Sequence, residues 1–173
     1  MLRKLCIAII LLVATPAFAT EKPHVLDKTI HAEKPYGEGR FTTMFMHVYN
    51  ASLWTDAPNW SMDVPFALVL KYYLDIDGAD LANRSIEEMQ HAKAIPSDKL
   101  AAYKDQLLKL FPDVKEGDII AAIYSPKKGL NFYYNDQPRG TITDADFAQR
   151  FLGIWLSPQT NEPKLRKALL GGK

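Results

Sequence analysis

Apolar residues in this chain recur every second position in some stretches and every third or fourth in others. That difference marks out its elements. The polar segment from Thr20 to Pro35 holds one short apolar alternation and predicts an approach to a first strand. Two glycines and a proline within PYGEGR, Pro35 to Arg40, predict a turn. Phe41 to Thr55, FTTMFMHVYNASLWT, is rich in aromatic and β-branched residues and predicts strand, broken near Asn50. Phe66 to Ile76, FALVLKYYLDI, is almost continuously apolar, as suits a strand at a sheet centre or one covered on both faces.

Beyond Asp77-Gly78 the period becomes helical, from Asp80 to Phe111. Ser85-Ile86-Glu87-Glu88 has the form of a capping box, Pro96 interrupts the run, and Ser97 can cap the next helix. Leu100, Tyr103, Leu107 and Leu110 or Phe111 share one helical face before Pro112. Strand character returns in GDIIAAIYSP and LNFYYN, a hairpin in which Gly129 supplies positive φ. After the turn NDQPRG and a brief TIT strand, Asp144 can cap ADFAQRFLGIWL, with Phe147, Phe151 and Ile154 or Trp155 as its stripe. Pro163 opens a last helix to Leu170, ended by Gly171-Gly172. Strands, helices, a hairpin and helices again predict an α+β domain with a mainly antiparallel sheet.

The N-terminus changes how the rest is counted. Arg3 and Lys4 precede the apolar run Leu5–Ala14, and Ala17-Phe18-Ala19 forms a cleavage site, so residues 1–19 read as a signal peptide cut before Thr20. The run is about half the ~20 residues that a membrane span needs. Residues 20–173 then form a single exported domain, periplasmic if the source is a Gram-negative bacterium, with no stable membrane span. Removing Arg3 and Lys4 from 21 basic residues leaves 19 against 20 acidic ones. A near-neutral chain offers no electrostatic case for a nucleic-acid partner. Cys6, the single cysteine, leaves with the signal, so neither a disulfide nor a thiolate nucleophile is expected.

Candidate chemistry is sparse. DIDGAD, Asp75 to Asp80, has the acidic look of a calcium loop, but Gly78 comes too early and Ile86 stands where the bidentate carboxylate belongs. It reads as a strand-to-helix turn with a capping aspartate. His24, His31, His47 and His91 have no metal-ligand spacing, and no G-x-S-x-G elbow is present. No catalytic residue, metal or cofactor is assigned. Aromatic density is the remaining signal. Most of these rings suit a core. A pocket between sheet and helices is the sharper reading, with an apolar lining and a few polar fixtures, Arg40 among them.

The segment DADFAQRFLGIWLSPQTNEPKLRKALLG resembles the C-terminal signature of bacterial chalcone isomerase-like proteins. HVYNASLWT, PFALVLKYYLDIDGADLANRSIEEM, FPDVKEGDII, PKKGLNFYYND and GTITDADFA match other pieces of that family in order, so the likeness spans nearly all of residues 37–171. The resemblance implies an open-faced β-sandwich: a large, mainly antiparallel sheet covered on one face by helices, with a ligand cleft between. It also implies that the apolar helix ending at Leu156 covers the sheet, and that Pro158 turns the chain so that PKLRKALL packs as a second layer.

Plant enzymes that this fold resembles close a flavanone ring with an arginine, a threonine, a tyrosine and an asparagine. Other plant members bind fatty acids. Here Arg40 is the counterpart of the arginine, Met44 falls at the threonine position, and Leu74 stands where related bacterial sequences carry an arginine. These departures favour a non-catalytic binding protein for a fatty acid or similar amphiphile, with Arg40, Tyr49, Tyr72, Tyr73 and Trp155 as candidate ligand-binding residues. The alternatives are an isomerase (intramolecular lyase) acting on a phenolic or enone substrate, and an envelope scaffold.

Overall fold

The computed structural model describes residues 21–172, so the signal-peptide reading of residues 1–19 lies outside them. Six strands run in chain order across one antiparallel sheet: β1 (Gly37–Thr43), β2 (Met46–Trp54), β3 (Phe66–Tyr72), β4 (Ile119–Ser125), β5 (Gly129–Tyr134) and β6 (Gln137–Ile142). Between β3 and β4 the chain forms α1 (Gly78–Ala92) and α2 (Ser97–Leu110); after β6 come α3 (Ala145–Leu156) and α4 (Pro163–Leu169). The expected α+β, open-faced arrangement is what the chain adopts.

Strand alternation divides the sheet residues between two cores. Leu53, Phe66, Leu68, Leu70, Ala122 and Phe132 belong to the main core beneath the helices. Trp54, Ala67, Val69, Ala121 and Ile123 face the other way, where Leu26 and Ile30 cover them. Leu26 comes from a short 3-10 helix, His24–Lys28, so the segment before β1 is a cover for the second face rather than an approach strand. β3 is buried on both sides, which is why its sequence is continuously apolar.

Several local expectations fail, each for a tertiary reason. PYGEGR is no turn, because Gly37 and Gly39 lie within β1. A Cβ on Gly37 would collide with the backbone oxygens of Ala168 and Leu169, and one on Gly39 would come within 2.8 Å of Leu165 Cδ1. These glycines let α4 press directly onto the sheet edge. So α4 packs on β1 beside α3 and is not a second layer. β2 runs unbroken through Asn50; the chain reverses earlier, at Met44-Phe45, both with positive φ. Ser85 sits inside α1 and donates to the Leu81 carbonyl, so its capping-box pattern is unused. The helix begins at Gly78 because the Asp113 carboxylate accepts from the Gly78 N–H at 2.8 Å and supplies the cap from across the chain.

Other local signals hold. The Asp144 carboxylate caps α3, accepting from the N–H groups of Asp146 and Phe147. Pro163 opens α4, and Gly129 has φ +82°. Arg150, 6% exposed, clasps the helical layer together. Its Nε donates to Asp146 at 2.9 Å, and its Nη1 donates to the carbonyls of Lys93 and Ala94. The same guanidinium holds the Asp146 carboxyl down at about 2. Among the described residues, no helix is long and apolar enough to cross a membrane.

Candidate functional site

Between the sheet and the helices lies a cavity of about 240 Å³. Above it α1 packs against both α2 and α3. Leu68, Leu70, Tyr72, Ile120 and Ala122 of β3 and β4 form its floor. Phe41 and Tyr49 close one side, and Phe151, Ile154 and Trp155 of α3 close the other. Asp80, Arg84, Ser85 and Glu88 of α1, with Glu162, form a polar rim, and Leu81 of α1 adds an apolar contact.

The side chains at the base are held by one another. Trp155 Nε1 donates to the Tyr49 hydroxyl at 3.0 Å, tying α3 to β2. The Tyr49 ring stacks on Phe41, with centroids 4.9 Å apart, and meets Tyr72 edge-on at 5.9 Å. Burial pushes both phenols, Tyr49 and Tyr72, far above the ordinary tyrosine range. At the rim, Arg84 pairs with Glu88 at 2.5 Å and with Glu87 at 3.3 Å. Glu88 also accepts from the Asn161 side-chain amide at 2.8 Å. Burial, and then the nearby Glu88 charge, raise the Glu162 carboxyl above the usual range. The arrangement can enclose a slim apolar group and meet a polar end at the rim.

Of the sequence candidates, Tyr49, Tyr72 and Trp155 line this cavity; Arg40 and Tyr73 do not. In the β1–β2 register Phe41 opposes Tyr49 and Arg40 opposes Asn50. Because Phe41 and Tyr49 point into the cavity, alternation sends Arg40 to the opposite face, where it is exposed. Tyr73 follows Tyr72 and lies apart from the cavity: its ring stacks on His47 at 3.9 Å and its hydroxyl accepts from Asn50. Met44, at the position of the family's threonine, stands 82% exposed at a hairpin tip.

A family model described as chalcone isomerase-like matches residues 36–171. The chain belongs to that family. An uncharacterised protein of Haemophilus influenzae is 32% identical over 139 residues, covering 80% of this chain and 68% of its relative. Among solved structures, this chalcone isomerase-like chain resembles an Arabidopsis thaliana fatty-acid binding protein, with a TM-score of 0.62. That match has 11% identity and covers 80% of this chain and 87% of the other, so it speaks for the fold.

Arg84, Glu88 and Glu162 were missed as site residues. A signal for two of them is present in the sequence. Leu81, Arg84, Ser85 and Glu88 fall at i, i+3, i+4 and i+7, one helical face, adjoining the buried stripe of Ala82, Ile86 and Met89. No comparable signal exists for Glu162, which reaches the rim only through the placement of α4.

Proposed function

We propose that this protein is an exported, non-catalytic binding protein for a single-chain amphiphile such as a fatty acid. The observation that carries this reading is the apolar, partly open cavity between sheet and helices, with charged groups at its rim. At about 240 Å³ it falls just under the ~300–1,000 Å³ typical of sites for drug-sized ligands, which favours a narrow chain. The tail would lie over Leu68, Leu70, Tyr72 and Trp155. The head would meet Arg84, whose guanidinium can hold a carboxylate through charge-assisted hydrogen bonds. Fatty-acid binding by the Arabidopsis neighbour supports the same reading by analogy of fold.

Titration with a fluorescent fatty acid tests it. Arg84→Ala should weaken binding about tenfold, the low end for a charge-assisted contact at an exposed rim already shared with Glu88. Arg40→Ala should leave affinity unchanged, since Arg40 lies on the other face. Failure of the wild type to bind would remove the amphiphile reading, and a loss with Arg40→Ala alone would move the head group away from the rim. Export rests on the pattern of residues 1–19. Intact-mass analysis of protein recovered from the envelope should find a chain beginning at Thr20, and a chain retaining Met1 would overturn it.

The isomerase alternative draws on the two buried phenols. Tyr49 and Tyr72, held protonated, can donate to a carbonyl oxygen of an enone. Mass spectrometry of small molecules retained by the purified protein separates the two, because an amphiphile and a phenolic enone differ in composition.

A further inference from the structure

Met44, Phe45 and Met46, at the β1–β2 turn, are 82%, 104% and 48% exposed. Among the described residues, Leu108 is the one other large hydrophobic side chain so exposed, and it stands alone. The backbone beneath the tip is itself unfavourable, with φ +46° at Met44 and +64° at Phe45. Bulky residues rarely adopt this left-handed region; Asn, Asp and Gly are the usual occupants of such turns. The β5–β6 turn has the same shape, φ +46° and +63°, and fills it with Asn135 and Asp136. Here, then, the chain keeps large apolar side chains where both backbone and solvent disfavour them. Local inconsistency of that kind marks a functional surface.

We propose that the tip Met44-Phe45-Met46 docks this protein peripherally on a lipid surface, with its apolar side chains inserted at the interface. Three features favour lipid over a protein partner. A Phe buries ~150–250 Å², so three such side chains fall well short of the ~1,200–2,000 Å² of a stable protein interface. A bilayer needs no complementary shape, and burial of apolar area suffices for reversible binding. Finally, Phe41 to Tyr49 contains no Asp, Glu, Lys or Arg to oppose insertion. Phe41, Val48 and Tyr49 of the same hairpin line the cavity, about three residues or ~10 Å from the tip. Docking would therefore bring the cavity close to a lipid source. The docking itself does not depend on what the cavity binds.

Vesicle sedimentation tests the proposal, using the full chain with phosphatidylcholine vesicles and with phosphatidylcholine–phosphatidylglycerol vesicles. The variant Met44→Asn/Phe45→Gly installs a relaxed turn, so it should fold at least as well as the wild type. Any membrane affinity of residues 1–20 is common to both proteins. Partitioning of the variant should fall about tenfold or more with both lipid compositions, since each ~1.4 kcal/mol of lost insertion is a factor of ten. Its affinity for a fluorescent fatty acid should stay at the wild-type value, which separates failure of docking from failure of the cavity reading. In Phe45→Trp, emission should shift to the blue on adding vesicles and be quenched by brominated phosphatidylcholine. Equal partitioning of wild type and variant, or no partitioning of the wild type, would overturn the proposal. So would a wild-type dimer that the variant abolishes, which would assign the tip to a second copy of the chain.

Discussion

At Asn135-Asp136 and at Met44-Phe45 the backbone turns through nearly the same pair of positive φ angles, at opposite edges of one sheet. Around the first turn the side chains of Asn135 and Asp136 are both hydrogen-bonded. Asn135 Oδ1 accepts from the Ile119 N–H, Asn135 Nδ2 donates to Asp118, and Asp136 accepts from the Val25 N–H. Tyr134 donates to the same Asp118 at 2.7 Å. Behind that turn Phe132 of β5 packs edge-on against Phe111 and Phe151, with centroids 6.1 and 5.1 Å away. At the other edge, two glycines thin the strand, a cavity opens beneath it, and the turn points apolar side chains into solvent. The β5–β6 turn is fixed by side-chain hydrogen bonds and backed by packed rings, whereas the features that suggest binding are gathered at the β1–β2 edge.

The largest test of that contrast is Phe132→Ala. Phe132 is 1% exposed among other rings, so truncation should cost about 3–5 kcal/mol in denaturant melts. A loss below about 1 kcal/mol would mean that this edge is not packed as described. A smaller effect comes from moving the apolar turn to the stitched edge. Asn135→Met/Asp136→Phe should cost about 2 kcal/mol or more, combining backbone strain with the lost side-chain bonds. Smallest, and of opposite sign, is the reverse exchange: Met44→Asn/Phe45→Gly should stabilise the fold by about 1 kcal/mol, raising Tm by roughly 2–4 °C. A fall in Tm would show that Met44 and Phe45 support the fold, and the two edges would then not differ as proposed.

Much of the architecture was legible because its signals are local. Asp144, Pro163 and Gly129 act within a few residues of themselves, and each does what its chemistry predicts. The site was only partly legible. Tyr49, Tyr72 and Trp155 follow from the density of rings on the strands and on the last amphipathic helix. Arg40 was expected at the cavity because PYGEGR reads as a turn beside a ligand, whereas Gly37–Thr43 is a strand whose alternation turns Arg40 to the other face.

The sequence by itself determined the α+β class, the strongly apolar character of β3, the family, and the apolar helix that covers the sheet. Each rests on periodicity, capping or ordered motifs that a linear chain displays directly. The tertiary structure alone decided that Gly37 and Gly39 mark a close approach of α4 instead of a turn, and that Asp113 starts α1 from 35 residues away. It also decided that Arg84, rather than Arg40, stands at the cavity. These outcomes depend on strand register and on contacts between residues far apart in sequence, so no local window of the chain contains them.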